Sequence, residues 1–194
     1  MHNNYLEEIE IYAKENRVPI MQKDGIEYLC NFIKENNIKS ILEIGSAIGY
    51  SAIKMALVDD DIMVTTIEKD KNRYDIAINN IKLFDLDRRI TIINDDALNT
   101  NIDSKYDLLF IDASKGHNID FLQKYKDNLN ESGVAIIDNL SFHGLVEDTS
   151  LIQTKNQLKI VEKIKKCIDY LDNSQEFKTE YIGVGDKIAI VRKI

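Results

Sequence analysis

The chain has 194 residues, enough for one domain with a full hydrophobic core, and its 44% hydrophobic and 30% charged residues are ordinary for a globular protein in water. A formal net charge of -8 argues against indiscriminate nucleic-acid binding, although it leaves room for a local basic patch. No apolar run approaches the roughly 20 residues of a membrane span, and the N-terminus Met1–Glu8 has no basic stretch followed by an apolar one, so no signal peptide is expected.

Leu6, Ile9 and Ala13 fall at helical spacing and predict a first helix over residues 5–16. Val18-Pro19-Ile20-Met21 breaks it, and a second helix is expected from about Asp24 to Glu35. Ile41-Leu42-Glu43-Ile44 then reads as a strand buried on both faces, followed by the turn Gly45-Ser46-Ala47-Ile48-Gly49 and a helix opening at Tyr50-Ser51. Further strands are predicted at Ile62–Ile67, Ile90–Ile93, Tyr106–Ile111 and Val134–Ile137, with helices over 72–84 and about 118–128 between them. Leu158, Val161, Ile164, Ile168 and Leu171 mark a long late helix. Phe177–Ile182 and Ile188–Val191, joined by Gly183-Val184-Gly185-Asp186, give a hairpin signal. Strands alternating with helices predict one doubly wound α/β domain over 1–194, a mostly parallel sheet ending in an antiparallel hairpin, with residues 1–37 as helices covering the site and 38–194 as the core. Cys30 and Cys167 both sit in helical patterns without Cys or His neighbours, so reduced thiols in a cytoplasmic protein are expected.

The glycine turn is where such a fold brings backbone close to a nucleotide-like ligand, because glycine carries no Cβ. Its spacing is G-x-x-x-G rather than the dinucleotide G-x-G-x-x-G. Glu43, two residues before the first glycine, would repel a pyrophosphate and attract a cation, such as the ammonium or sulfonium of S-adenosylmethionine. Glu68, about 20 residues past Gly49, ends the second strand where a carboxylate can accept both hydroxyls of a ribose; the bland alternative is a neighbour of a helix cap. Asp96-Ala97 fits the adenine end of the same ligand, with Asp95 as a turn residue. Asp112 and Asp138-Asn139 end consecutive strands. If those strands are neighbours, three oxygen ligands converge in a set that suits Mg²⁺, and on spacing alone helix capping explains them equally well.

Together these stretches resemble the cation-dependent class I O-methyltransferases, the group of the catechol and caffeoyl-CoA enzymes. Those that match are Leu42-Glu43-Ile44-Gly45 to Gly49-Tyr50-Ser51, Ile67-Glu68, Asp96-Ala97, Ile111-Asp112-Ala113-Ser114-Lys115 and Asp138-Asn139. Val18-Pro19-Ile20-Met21 and Val184-Gly185-Asp186 with Ile188-Ala189 are similar, more narrowly, to the bacterial TrmR branch of tRNA 5-hydroxyuridine methyltransferases. The resemblance implies a seven-stranded Rossmann-like sheet. It implies that Met21, Glu43, Gly45, Ser46, Gly49, Tyr50, Ser51, Glu68, Asp96, Ala97 and Asp112 surround S-adenosylmethionine, and that Asp112, Asp138 and Asn139 hold Mg²⁺. Lys115 matches the family's general base, with a loop charge or phosphate contact as its alternative. The implied reaction is methyl transfer to a hydroxyl, that of wobble-position 5-hydroxyuridine in tRNA or, alternatively, of a small phenol. A homodimer is implied as well, since members of the family are often dimers, and a dimer would assemble an RNA-binding surface that one acidic subunit lacks.

Three departures qualify the match. The helix before Val18 is expected to be shorter than in relatives, Asp95 stands where glycine is common, and His143 stands where relatives often carry a basic residue. His117 and His143 offer proton-transfer or RNA contacts, or simply solvated loop positions. Arg88-Arg89 and Lys163-Lys165-Lys166 offer phosphate contacts, although small groups on an acidic chain read better as solvated faces. A dehydrogenase is disfavoured, because Tyr50 and Lys54, the one Tyr-x-x-x-Lys, lie within the helix after the glycine turn.

Overall fold

The computed structural model describes residues 2–113 and 116–194. Its strands are β1 (Ser40–Ile44), β2 (Met63–Ile67), β3 (Ile90–Ile93), β4 (Tyr106–Ile111), β5 (Leu129–Ile137), β6 (Phe177–Ile182) and β7 (Ile188–Lys193), and its helices are α1 (His2–Glu15), α2 (Lys23–Glu35), α3 (Tyr50–Ala56), α4 (Lys71–Leu83), α5 (Asn118–Tyr125) and α6 (Lys155–Asp172). The strands form one seven-stranded sheet in the order β3-β2-β1-β4-β5-β7-β6. β1 to β5 run parallel, and β7 pairs antiparallel with both β5 and β6. Strand order reverses at β1, which pairs with β2 on one side and β4 on the other, and the crevice beyond their carboxyl ends is where this topology receives ligands.

Consecutive residues of the central strands face opposite cores. Leu108 and Phe110 join the cluster built with Leu29 and Ile33 of α2 and Ile53 and Met55 of α3. Leu109 and Ile111 join the cluster under Phe121 and Leu122 of α5 and Val161 and Ile164 of α6. That is why these strands read as unbroken apolar runs. The condition that β4 and β5 be neighbours is met, with Ile111 paired to Ile137.

Two boundaries on the way into β5 differ from the sequence reading. The helix predicted to reach residue 128 stops at Tyr125, and Lys126–Asn128 tighten into a 3₁₀ turn. β5 begins at Leu129 rather than Val134, because Leu129 pairs with Tyr106 across an irregularity in register. α6 starts at Lys155, where the Thr154 hydroxyl accepts from the Gln157 amide at 3.1 Å and the Gln157 side chain accepts from the Thr154 amide at 3.0 Å, a reciprocal cap. Cys30 and Cys167 are free thiols, both pushed up by burial, to about 11 and about 12. Among the described residues no helix is long and apolar enough to cross a membrane.

Candidate active site

A cavity of about 1040 Å³ opens beyond the carboxyl ends of the central strands. Its floor is the turn after β1, held open by a left-handed Gly45 (φ +96°) whose amide donates to Ile67 O at 2.9 Å. A Cβ at Gly45 would lie 2.6 Å from Asp112 O, so what requires glycine here is the protein's own backbone crossing from β4. Gly49 (φ +84°) precedes α3, and a Cβ there would approach Ala77 of α4 at 3.3 Å. Gly49 packs a helix and does not line the cavity, which corrects the expectation that both glycines clear room for a ligand.

Glu43 also lies behind the cavity wall. It is fully buried, and its two oxygens accept from the hydroxyls of Ser51 and Thr66.

 Burial holds its carboxyl well above the ordinary range, at about 7, with the two hydroxyl donors working against that rise. The expectation of a direct contact between Glu43 and a ligand cation is therefore corrected: what Glu43 touches is Ser51, and Ser51 lines the cavity.

The other acids at the strand ends do face the cavity. Glu68 is held from both sides, accepting from Ala47 N at 2.9 Å and from Asp70 N at 2.8 Å. Each carboxylate oxygen has a second lone pair, so the cap reading and the ribose reading are compatible. Asp96 accepts from Leu98 N at 2.9 Å and lies 3.5 Å from Lys69 Nζ, and the Leu98 amide leads the causes that hold its carboxyl below the usual range. Asp95 accepts from Asp96 N and from the Thr100 hydroxyl, as a turn residue does. Ala97 and Met21 are buried in the wall. Tyr50 lines it too, its hydroxyl donating to Glu10 of α1 at 2.7 Å. The Ser46 hydroxyl is 2% exposed, faces the same space and has no hydrogen-bond partner among the described residues. A buried orphan beside two acids set for polar hydrogens suits a ligand rich in hydroxyl and amine groups.

Asp112 and Asp138 sit at one level of the sheet because the parallel ladder continues one step past each strand: Asp112 N donates to Ile44 O at 3.0 Å and Asp138 N to Ile111 O at 3.1 Å. The Asn139 amide reaches both carboxylates, 2.8 Å from Asp112 Oδ1 and 3.1 Å from Asp138 Oδ2. Among the described residues no group of three or more His, Cys, Asp or Glu side chains is placed to hold a metal; the set is two carboxylates and one amide. The Asn139 amide meets the two carboxylates through its nitrogen; turned about its last bond it would put its oxygen there instead, and three oxygen donors in that place fit a hard divalent cation such as Mg²⁺. Lys115 lies outside the described residues.

His117 and His143 both stand on the cavity rim, His117 with Nδ1 2.8 Å from Asp120. Sequence reasoning groups Lys163 with Lys165 and Lys166, and the structure separates them. Lys163 lines the cavity with Lys159 and Asn156, positions one helical turn apart on α6, while Lys165 and Lys166 do not. Arg89 is spent elsewhere, donating to Ala56 O and Asp59 O. Lys159 and Asp186 were not singled out as site residues. For Lys159 the signal is its spacing of four from Lys163, out of phase with the buried Val161 and Ile164.

The sequence profile of the O-methyltransferase family matches residues 2–194. The chain belongs to that family. This O-methyltransferase is 25% identical over 180 residues to a caffeoyl-CoA O-methyltransferase of Populus kitakamiensis, covering 88% of this chain and 77% of that one. Among solved structures it is similar to a "putative caffeoyl-CoA O-methyltransferase" of Staphylococcus aureus, with 33% identity, a TM-score of 0.93 and coverage of 97% of this chain and 92% of the other. An O-methyltransferase of Bacillus cereus solved in complex with SAH shares the fold at 22% identity, with a TM-score of 0.81 and coverage of 98% and 91%. The protein is thus an S-adenosylmethionine-dependent O-methyltransferase.

Proposed function

We propose that this O-methyltransferase uses Mg²⁺ and transfers the methyl group of S-adenosylmethionine to a hydroxyl on a phosphate-bearing acceptor, first of all the 5-hydroxyl of wobble-position 5-hydroxyuridine in tRNA. The observation that carries the acceptor class is the pair Lys159 and Lys163. Both line the cavity of an otherwise acidic chain, and neither has an acidic partner among the described residues. Two like charges four apart on one helix repel, and a bound phosphate relieves that repulsion.

In this reading Glu68 accepts from the ribose hydroxyls, Asp96 and Ala97 bound the adenine, and Met21, Gly45, Ser46, Tyr50 and Ser51 enclose the methionine end. Asp112, Asp138 and Asn139 hold Mg²⁺, which, when bound, lowers the pKa of an acceptor hydroxyl and fixes its position. Lys115 takes the hydroxyl proton as the methyl carbon leaves sulfur and joins oxygen, with S-adenosylhomocysteine as the other product. A homodimer in the cytoplasm completes the proposal, because two copies bring two cationic rims to one RNA.

The name of the Populus relative supports a second reading, a small phenolic acceptor. An acyl-CoA carries phosphates and would use the same lysines, whereas free catechol would not. The deciding assay is transfer of labelled methyl to 5-hydroxyuridine-containing tRNA, caffeoyl-CoA and catechol, each with Mg²⁺ or EDTA. Labelling of tRNA alone, lost in EDTA, is the expected result. Labelling of a phenol alone selects the second reading, and labelling that survives EDTA removes the metal from both.

A further inference from the structure

The stretches 18–21 and 184–186, far apart in the chain, belong to one assembly at the cavity's edge. The loop between β6 and β7 docks on the start of α2, where Gly185 N donates to Asp24 Oδ2 at 3.0 Å. Backbone meets backbone there, and a Cβ at Gly185 (φ +56°) would lie 3.2 Å from Gly25 Cα. Met21, just before α2, lines the cavity on the same side.

The far side of this loop grips the segment after β5. Ser141 N donates to Asp186 O at 2.9 Å and Leu140 N to Lys187 O at 3.0 Å. The Asp186 carboxylate, 4% exposed, accepts from His143 N at 2.6 Å and lies 3.9 Å from His143 Nδ1. Lys187 Nζ reaches Glu147 at 3.1 Å, and Glu147 accepts from the Ser141 hydroxyl at 2.8 Å. The gripped segment is left-handed at Asn139 (φ +66°) and at three consecutive residues, Phe142 (+51°), His143 (+57°) and Gly144 (+83°). Side chains other than glycine hold such angles only where surrounding contacts impose them, and such outliers gather at ligand clamps. Here the contact on His143 comes from Asp186. The segment presents Asn139, Phe142 and His143 to the cavity.

We propose that Asp186 is a positioning residue for the acceptor: by holding His143 N it keeps the 139–144 segment in its left-handed shape and so sets the wall against which the acceptor hydroxyl is placed. The role of that wall rests on the function proposed above. In this proposal Asp186 acts through His143 and not on the reacting atoms.

The test compares Asp186→Ala with Asp186→Asn, whose amide oxygen can still accept from His143 N. In Asp186→Ala, KM for the acceptor that the wild type methylates should rise about tenfold, roughly the loss of one charge-assisted hydrogen bond, with S-adenosylhomocysteine affinity changed less than about twofold. Amide exchange across 139–146 should quicken, and Asp186→Asn should restore both readouts most of the way. Equal losses of cofactor and acceptor binding in Asp186→Ala, or unchanged exchange and KM, would overturn the proposal. If the wild type methylates none of tRNA, caffeoyl-CoA and catechol, the proposed function fails, and amide exchange then decides: unchanged exchange in Asp186→Ala sinks the brace as well.

Discussion

The two halves of the cavity are built in different ways. On the cofactor side, acids are steadied mainly by backbone amides close by, Glu68 by Asp70 N and Asp96 by Leu98 N, with Ala47 N of the β1 turn as a more distant contact of Glu68. On the acceptor side, the contacts span long stretches of sequence: the Asn139 amide holds the Asp112 carboxylate, and the Asp186 carboxylate holds the backbone amide of His143. Apart from the Ala47 contact, which needs β1 beside β2, the first half follows from a strand that ends in an acid and turns sharply. The second half exists only once β4, β5 and the final hairpin have come together. Local construction gives a rigid recess, whereas construction at a distance gives one whose shape can be retuned by residues outside it.

The largest effect that would separate the halves is expected from Asp138→Ala. Methyl transfer should fall by roughly a hundredfold to a thousandfold, several kcal/mol of transition-state stabilisation. Titration with S-adenosylhomocysteine should give nearly wild-type affinity; a large loss there would mean that the halves are not separable. Gly45→Ala attacks the crossing of β1 and β4, on which both halves stand. Its positive φ and the 2.6 Å approach to Asp112 O should cost about 2–3 kcal/mol in urea unfolding.

Glu43 gives the cofactor side a pH signature. Its folded pKa, about 7, lies above the ordinary 4.5, so the folded chain binds the extra proton between those values. The stability this group contributes is full below pH 4.5 and is lost as pH rises through about 7. Relative to Glu43→Gln, the wild type should therefore lose stability on the order of 3 kcal/mol between pH 4.5 and pH 8, read by urea titration at each pH. A constant difference between the two proteins would place the ionisation elsewhere. The smallest effect is expected from Lys159→Ala combined with Lys163→Ala. KM for tRNA should rise about tenfold at low salt, fading at high salt, with catechol kinetics unchanged.

The same contrast explains what could be read from the sequence. Glu68, Asp112 and Asp138 are legible because each closes a buried apolar run, and the strand order that brings Asp112 and Asp138 together is a rule of the topology. The Thr154-x-x-Gln157 pattern is a local start signal for α6, of the kind a sequence displays without any tertiary contact. Glu43 misleads because sequence position gives the strand but not the depth: with an even alternation along β1 its side chain points inward, toward Thr66 and Ser51. Asp186 was legible as part of a hairpin turn, yet its partner at His143 belongs to another element, and no local pattern links them.

The meeting of Gly25 and Gly185 also bears on how this sequence can drift. Two positions in different elements occupy one small space, and at each a methyl group meets the other's backbone, at 3.6 Å from Gly25 and 3.2 Å from Gly185. Gly185 carries the stricter limit, since its φ of +56° disfavours any side chain. Variation is therefore easier at Gly25, and each change there narrows what the hairpin can later accept, so the order in which substitutions arise decides which neighbouring sequences remain within reach.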